Sequence, residues 1–298
     1  MPAGLVLLLA PGFYFLPFPH TLRAGREAFA MMKQVKRAAA AQEKSRRRIA
    51  GIICLAVVFC AVSAVYIEEA RTAEVVARKR ELPIYAVDRS DNKIAISFDA
   101  AWGGDKTIKI LDILDEFGVK TTFFLVDTWV SRFPELVKEI AARGHEIGNH
   151  STTHPQMSKL SRDKIRQELN VVSDHIEALT GVRPTLFRPP YGDYNNDVVL
   201  TAREMGYEAI QWSVDSLDWK NQGAQPMIKR ATQSVRGGDI VLFHNDSQYI
   251  LDALPAILKS YREQGLTVVP ISQLLLAGDT TIDAQGRQRP AAGTIPEV

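Results

Sequence analysis

Two cysteines in 298 residues are too few for a disulfide framework, and both, Cys54 and Cys60, lie inside one apolar run. The chain beyond that run has no thiol, so its stability must come from a packed core, for which 46% hydrophobic residues is sufficient. No Gly-rich dinucleotide-binding turn and no internal repeat are present. Charge of one sign is also scarce: the net charge is only +2. That small excess is local, because residues 1–50 carry nine Lys/Arg against two Glu, a net +7 that leaves the remainder at −5. A basic excess confined to one end argues against nucleic-acid binding by the whole protein.

What is present begins with IAGIICLAVVFCAVSAVYI, residues 49–67, nineteen residues without a charge. At 1.5 Å per residue a helix of this length crosses a bilayer core of about 30 Å. Lys44, Arg46, Arg47 and Arg48 precede it and Glu68 and Glu69 follow. This flank predicts a cytoplasmic tail at 1–48, a single-pass anchor in the cytoplasmic membrane at 49–67, and everything beyond outside the cytoplasm. A cleaved signal peptide shares the pattern, and Ala61, Ser63 and Ala64 keep that alternative open. Residues 1–30 are apolar but interrupted by Pro2, Pro11, Pro17 and Pro19, and are expected to be disordered or, with translation starting at Met31 or Met32, absent. Residues 68–91 read as a linker and residues 277–298 as a flexible tail.

Between these, residues 92–276 alternate between two periodicities. Short apolar, β-branched runs are expected as strands at 94–98, 121–126, 145–150, 184–188, 208–214, 239–244 and 266–271, with helical stretches near 105–117, 133–143, 161–179, 195–205, 226–236 and 251–264. Ser161 is placed as an N-cap and Gly181 as the residue past the helix end. Strand and helix in alternation predict an α/β fold of parallel strands, a distorted (β/α) barrel of about seven strands.

In such folds reactive side chains collect at the carboxyl ends of strands. The expected strands end in Asp99, His150, Arg188, Asp215 and His244, residue types that turns rarely select for solubility alone. In His150-Ser-Thr-Thr-His154 the i, i+4 spacing is expected to set two imidazoles on one side of a helical turn, within reach of one cation. Taken alone such a pair is more often two surface histidines.

In order along the chain, SFDAAWG (97–103), HSTTH (150–154), RPPYG (188–192), VDSLDW (214–219) and VLFH (241–244) resemble the five motifs of the NodB homology domain of polysaccharide deacetylases, carbohydrate esterase family 4. Within that family the stretch WSVDSLDWKNQG (212–223) and the single anchor are most similar to the PdaB-type sporulation deacetylases. The resemblance implies metal-dependent hydrolysis of N-acetyl groups from peptidoglycan or a chitin-like glycan, on N-acetylglucosamine or N-acetylmuramic acid residues. By position it implies Asp99 as the catalytic base, Arg188 as the residue that orients it, His244 as the general acid and Asp215 as the carboxylate that fixes its tautomer. It implies His150 and His154 as ligands of a divalent metal, zinc foremost with cobalt or nickel as alternatives. The Tyr191 N–H becomes an oxyanion donor, and Trp219 and Leu242 walls of the acetyl pocket. Trp102, beside Asp99, is expected to stack on sugar, and Trp129 to do so or to pack in the core.

One departure stands out. The family motif has two consecutive aspartates, the second a metal ligand, and here that position is Ala100. This implies weak or absent metal binding unless a ligand is borrowed. Asp105 is the nearest source, although an N-cap role for it is favoured. A glycan-binding or morphogenetic protein without turnover is therefore the second reading. An unrelated glycosidase is a third, disfavoured because no separate pair of strand-end carboxylates is left over. His145 and His175 read as structural and surface residues.

Overall fold

The computed structural model describes residues 19–77 and 80–291, with side chains at 19–26, 28 and 69–77 left aside. The chain divides into two units, residues 1–79 and 80–298. Of the first unit, residues 1–18, much of the segment expected to be disordered or absent, lie outside the described residues; the rest of that segment, from Pro19, is helical. One helix, α1 (Pro19–Ala77), makes up the described part, and its stretch Phe29–Glu68 has the length and hydropathy to cross a membrane.

The second unit opens with β1 (Ala86–Val87) and β2 (Lys93–Ala100), then α2 (Thr107–Glu116), β3 (Thr122–Leu125), α3 (Asp127–Arg132), α4 (Pro134–Ala142) and β4 (Glu146–Asn149). It continues through α5 (Arg162–Thr180), β5 (Leu186–Phe187), α6 (Asn196–Glu204), β6 (Glu208–Ala209), β7 (Val214–Asp215), α7 (Ala224–Thr232) and β8 (Ile240–His244). The last elements are α8 (Ile250–Glu263), β9 (Thr267–Val268), α9 (Ile271–Leu274) and a hairpin of β10 (Thr280–Ile282) and β11 (Arg287–Pro290). The sheet order is β6-β5-β4-β3-β2-β8-β7, all parallel, with β9 pairing the start of β2. It is a curled half-barrel of seven strands with an added short one, the expected architecture.

Alternation along β2 shows how the sequence builds it. Ile94, Ile96, Phe98 and Ala100 point to the helices and join the main core with Val241 and Phe243 of β8. The odd-numbered residues point inward: Ala95 meets Ile240, Phe124 and Leu186 in an inner cluster, and Ser97 bonds there to Arg188. A period of two on strands buried on both faces thus separates a helix-facing layer from a partly polar interior. Ser161 caps α5 through Lys164 N–H and Gly181 closes it at φ 76°, as expected.

Three expectations need correction. The run 208–214 is two strands, β6 and the start of β7, at opposite edges of the sheet. Ile210–Ser213 crosses the open side between them, held by a bridge of Ile210 to Ile84 and by Gln211 N–H to Ile84 O at 2.7 Å. Apolar periodicity cannot distinguish one long strand from a strand that changes edge. Second, residues 280–290 are a hairpin rather than a flexible tail. Third, the last part of the expected linker is core: Ile84, Ala86 and Val87 are buried, and β1 pairs in parallel with β11. Pairing across some 200 residues leaves no local signature in either segment.

Gly148 on β4 faces Phe124 on β3 across the sheet, and a Cβ there would lie 2.4 Å from the Phe124 ring. That ring supports the Arg188 guanidinium, 4.2 Å from the ring centroid. Gly148→Ala is therefore expected to lower stability by roughly 1–3 kcal/mol through overpacking, measured by thermal unfolding, and to displace Phe124 and Arg188 in a crystal structure of the variant.

Candidate active site

Arg188 is a charged residue of the interior with no exposed surface. It follows β5 directly, and its side chain crosses beneath the sheet's upper rim. One nitrogen donates to Ser97 Oγ at 2.8 Å and to Asp99 Oδ1 at 2.7 Å, and the other to the Gln211 carbonyl at 3.1 Å. Burial by itself would raise the Asp99 pKa, but the charge and hydrogen bond of Arg188, with the charge of His244, prevail and hold it below the ordinary carboxylate range. Asp99 is an ionised carboxylate aimed by its partner.

Directly across from Asp99, as its register partner on the adjacent parallel strand, is His244. Its Nδ1–H donates to Asp218 Oδ1 at 2.8 Å, while its backbone N–H donates to Asp218 Oδ2 at 2.7 Å and the Trp219 N–H to Oδ1 at 2.8 Å. Burial would lower the His244 pKa; the hydrogen bond and charge of Asp218, with Asp99 and Asp246, outweigh it and raise the value to about 9. The tautomer-fixing role expected of Asp215 therefore belongs to Asp218. Asp215 ends β7 and lines the pocket, but its Oδ1 accepts the Leu217 N–H at 2.8 Å. The physical reason is Leu217 at φ 52°, a left-handed residue that turns the chain and drives Asp218 inward to 2% exposure. Both aspartates sit in VDSLDW, and strand-end logic selects the wrong one.

His150 and His154 do meet, with ring centroids 5.0 Å apart, but not on a helical turn. His150 follows β4, and the chain to His154 is a loop with Ser151 at φ 70° and His154 at φ 56°. Left-handed backbone at two non-glycine residues costs on the order of 1 kcal/mol or more each, so the surroundings must hold it. His150 Nδ1 pairs with the Arg188 carbonyl at 2.7 Å, which makes that nitrogen the N–H and frees Nε2, 3.5 Å from Asp99 Oδ2. Burial keeps both imidazoles neutral: it lowers the His150 pKa and, with the neighbouring His150, brings His154 to about 4.

Whether these residues suit a divalent metal is answered by one orphan and one shortfall. His154 Nδ1 is buried and lacks a hydrogen-bond partner, and His150 Nε2 is free, so two neutral imidazole donors stand ready. Among the described residues no group of three His, Cys, Asp or Glu side chains forms a cage. Ala100 lies on the helix-facing side of β2. Asp105 is in an exposed turn, does not line the pocket, and does not cap α2, whose N-cap is Lys106 with no side-chain cap bond. The donors fit a cation held by two imidazoles, one protein ligand fewer than a usual catalytic zinc site.

The pocket, about 650 Å³, gathers Asp99, His150, His154, Asp215 and His244 with Trp102, Tyr191, Trp219 and Leu242. Trp102, Tyr191 and Trp219 are more than half exposed at its mouth. Tyr191 has φ 59°, and the turn's own bonds, Gly192 N–H to Pro189 and Asp193 N–H to Pro190, leave its N–H unused. Trp129 is core, its Nε1–H donating to Gly103 O at 3.0 Å. His145 is buried and structural, accepting the Thr121 N–H, and His175 pairs with Asp127 at 2.8 Å. Sequence reasoning missed Asp218, Ser97 and the Gln211 carbonyl. Only Asp218 had a visible trace, a second aspartate in its motif.

Residues 86–210 match the sequence profile of the Polysaccharide deacetylase family. A peptidoglycan-N-acetylglucosamine deacetylase of Bacillus cereus is 36% identical over 196 residues, covering 64% of this chain and 92% of that protein. The uncharacterized protein YlxY of Bacillus subtilis is 33% identical, over 65% of this chain and 60% of its own length. Among solved structures, a pseudoenzyme of carbohydrate esterase family 4 from Bacillus anthracis is similar at TM-score 0.63 and 35% identity, covering 64% of this chain and 68% of that one. A mutant of that pseudoenzyme with restored enzymatic activity is similar at the same TM-score and 36% identity, covering 64% of this chain and 70% of its own. With its curled sheet, the strand-end constellation and these likenesses, the chain belongs to the polysaccharide deacetylase family, with the NodB-type domain of carbohydrate esterase family 4.

Asp218→Asn removes the charge that raises the His244 pKa and leaves burial, which lowers it. The His244 titration, followed by NMR, is expected to fall from about 9 by roughly 2 units or more, whereas Asp215→Asn should leave it within about half a unit.

Proposed function

We propose that this protein hydrolyses N-acetyl groups of a cell-wall polysaccharide, N-acetylglucosamine or N-acetylmuramic acid units of peptidoglycan or a related glycan, from the outer side of the membrane. The observation that carries the reading is the pairing of Asp99 with His244 across β2 and β8: a carboxylate and an imidazolium at one height on adjacent strands, about 5 Å apart by strand spacing.

In this reading the acetamide enters between Leu242 and Trp219, with the sugar against the exposed aromatic rings. Asp99, kept ionised by Arg188, takes a proton from the attacking water. The Tyr191 N–H donates to the carbonyl oxygen as it gains charge. His244, protonated at neutral pH and held by Asp218 through Nδ1, delivers a proton from Nε2 to the leaving nitrogen. The C–N bond breaks, and acetate and a free amine leave. His150 and His154 would hold a divalent cation, which when bound supplies Lewis-acid activation of the water and carbonyl.

A second reading, a glycan-binding protein without turnover, is favoured by two observations: Ala100 supplies no carboxylate, and a family pseudoenzyme is among the similar structures. Within the helix Phe29–Glu68, the uncharged run 49–67 with Lys44, Arg46, Arg47 and Arg48 before it supports an anchor and an extracytoplasmic domain.

Acetate release from peptidoglycan or chito-oligosaccharides with added Zn²⁺ or Co²⁺ separates the readings. The deacetylase reading expects turnover that Asp99→Asn and His244→Ala each reduce by about 100-fold or more. Glycan binding without acetate at any metal concentration would establish the second reading instead.

A further inference from the structure

The loop that carries the two imidazoles has no regular structure of its own, and what holds it comes from α5. Glu168, half-buried on that helix, accepts the Thr152 N–H at 2.9 Å and the Thr153 N–H at 2.8 Å through Oε2, and the Thr153 hydroxyl at 2.8 Å through Oε1. Its main-chain carbonyl accepts the Thr152 hydroxyl at 2.8 Å. One residue thus receives every side-chain and main-chain donor of the two threonines between His150 and His154.

Its position on the helix is what makes this effective. Leu169, the next residue, is fully buried, and its carbonyl accepts Asn149 Nδ2 at 2.8 Å. Asn149 Oδ1 in turn accepts the Ser151 N–H at 2.8 Å, and Ser151 Oγ the His154 N–H at 3.1 Å. The left-handed Ser151 and His154 are therefore bracketed: Asn149 and Ser151 act from within the loop, Glu168 from outside. Helix α5 is fixed to the core by Ile165, Leu169, Val172 and Ile176, so Glu168 transmits a rigid reference to a loop that would otherwise relax toward commoner backbone angles.

From these contacts we propose that Glu168 is a positioning residue for the active site, the side chain that sets the separation and direction of the His150 and His154 rings without itself lining the pocket. The proposal rests on the reading of these histidines as site residues. A glutamine fits the same role: its carbonyl oxygen can accept both amide N–H groups, and its NH₂ can donate to the Thr153 hydroxyl, which then reverses direction. Alanine offers neither.

The test uses the full-length protein in detergent micelles, as parent, Glu168→Gln and Glu168→Ala. Amide hydrogen exchange at Thr152 and Thr153 is expected to accelerate by about 10- to 100-fold in Glu168→Ala, with the melting temperature of the outer domain nearly unchanged and Glu168→Gln close to the parent. Acetate release, where the parent shows it, is expected to fall in Glu168→Ala and to recover in Glu168→Gln. Parent-like exchange in Glu168→Ala overturns the proposal, and so does equal impairment of the glutamine and alanine proteins. Failure of the parent to release acetate counts against the deacetylase reading alone, and the exchange result still decides the role of Glu168.

Discussion

A guanidinium with no exposed surface must be held by partners or it would destabilise the fold, and both terminal nitrogens of Arg188 are held, while its Nε is buried without a partner. Ser97 and Asp99 come from β2, the Gln211 carbonyl from the crossing segment, and Phe124 of β3 supplies an aromatic face. Removing either charge of the Arg188 and Asp99 pair would leave the other buried and uncompensated, typically a loss of about 3–5 kcal/mol. The pair therefore ties the position of the reactive carboxylate to the stability of the sheet. Even the Arg188 carbonyl is used, since it sets the His150 tautomer.

Register does the rest. Parallel strands bring Asp99 and His244 level, and the Arg188 carbonyl at the end of β5 reaches His150 at the end of the neighbouring β4. Each half of the constellation is a charged pair made of one group facing the pocket and one behind it: Asp99 before Arg188, His244 before Asp218. Where the family motif has a second aspartate, Ala100 joins the apolar layer against the helices. Both charged pairs are formed, and beside them stand the two imidazoles of His150 and His154.

Much of this was legible in the chain, for physical reasons that differ from residue to residue. Asp99, His150, Arg188 and His244 were visible because apolar strand runs end on them, and Ser161 and Gly181 because helix ends demand those residues. Asp218 was not, because a left-handed Leu217 redirects the chain after the strand end, a backbone event without a sequence mark. The spacing of the two histidines predicted a helical turn, yet the loop takes its shape from Glu168 and Asn149, which lie outside the motif or at its edge. The hairpin of β10 and β11 and the crossing at Ile210 depend on pairing with residues 84–87, far away in the chain.

The electrostatic claim beneath all of this is that Asp99 is ionised because Arg188 outweighs the cost of burying it. The direct measurement is an NMR titration of the Asp99 carboxyl carbon in the folded protein. A midpoint below the ordinary value of 3.8 is expected; a midpoint at or above it would mean that burial prevails, and that the carboxylate is not the preformed base on which this account is built.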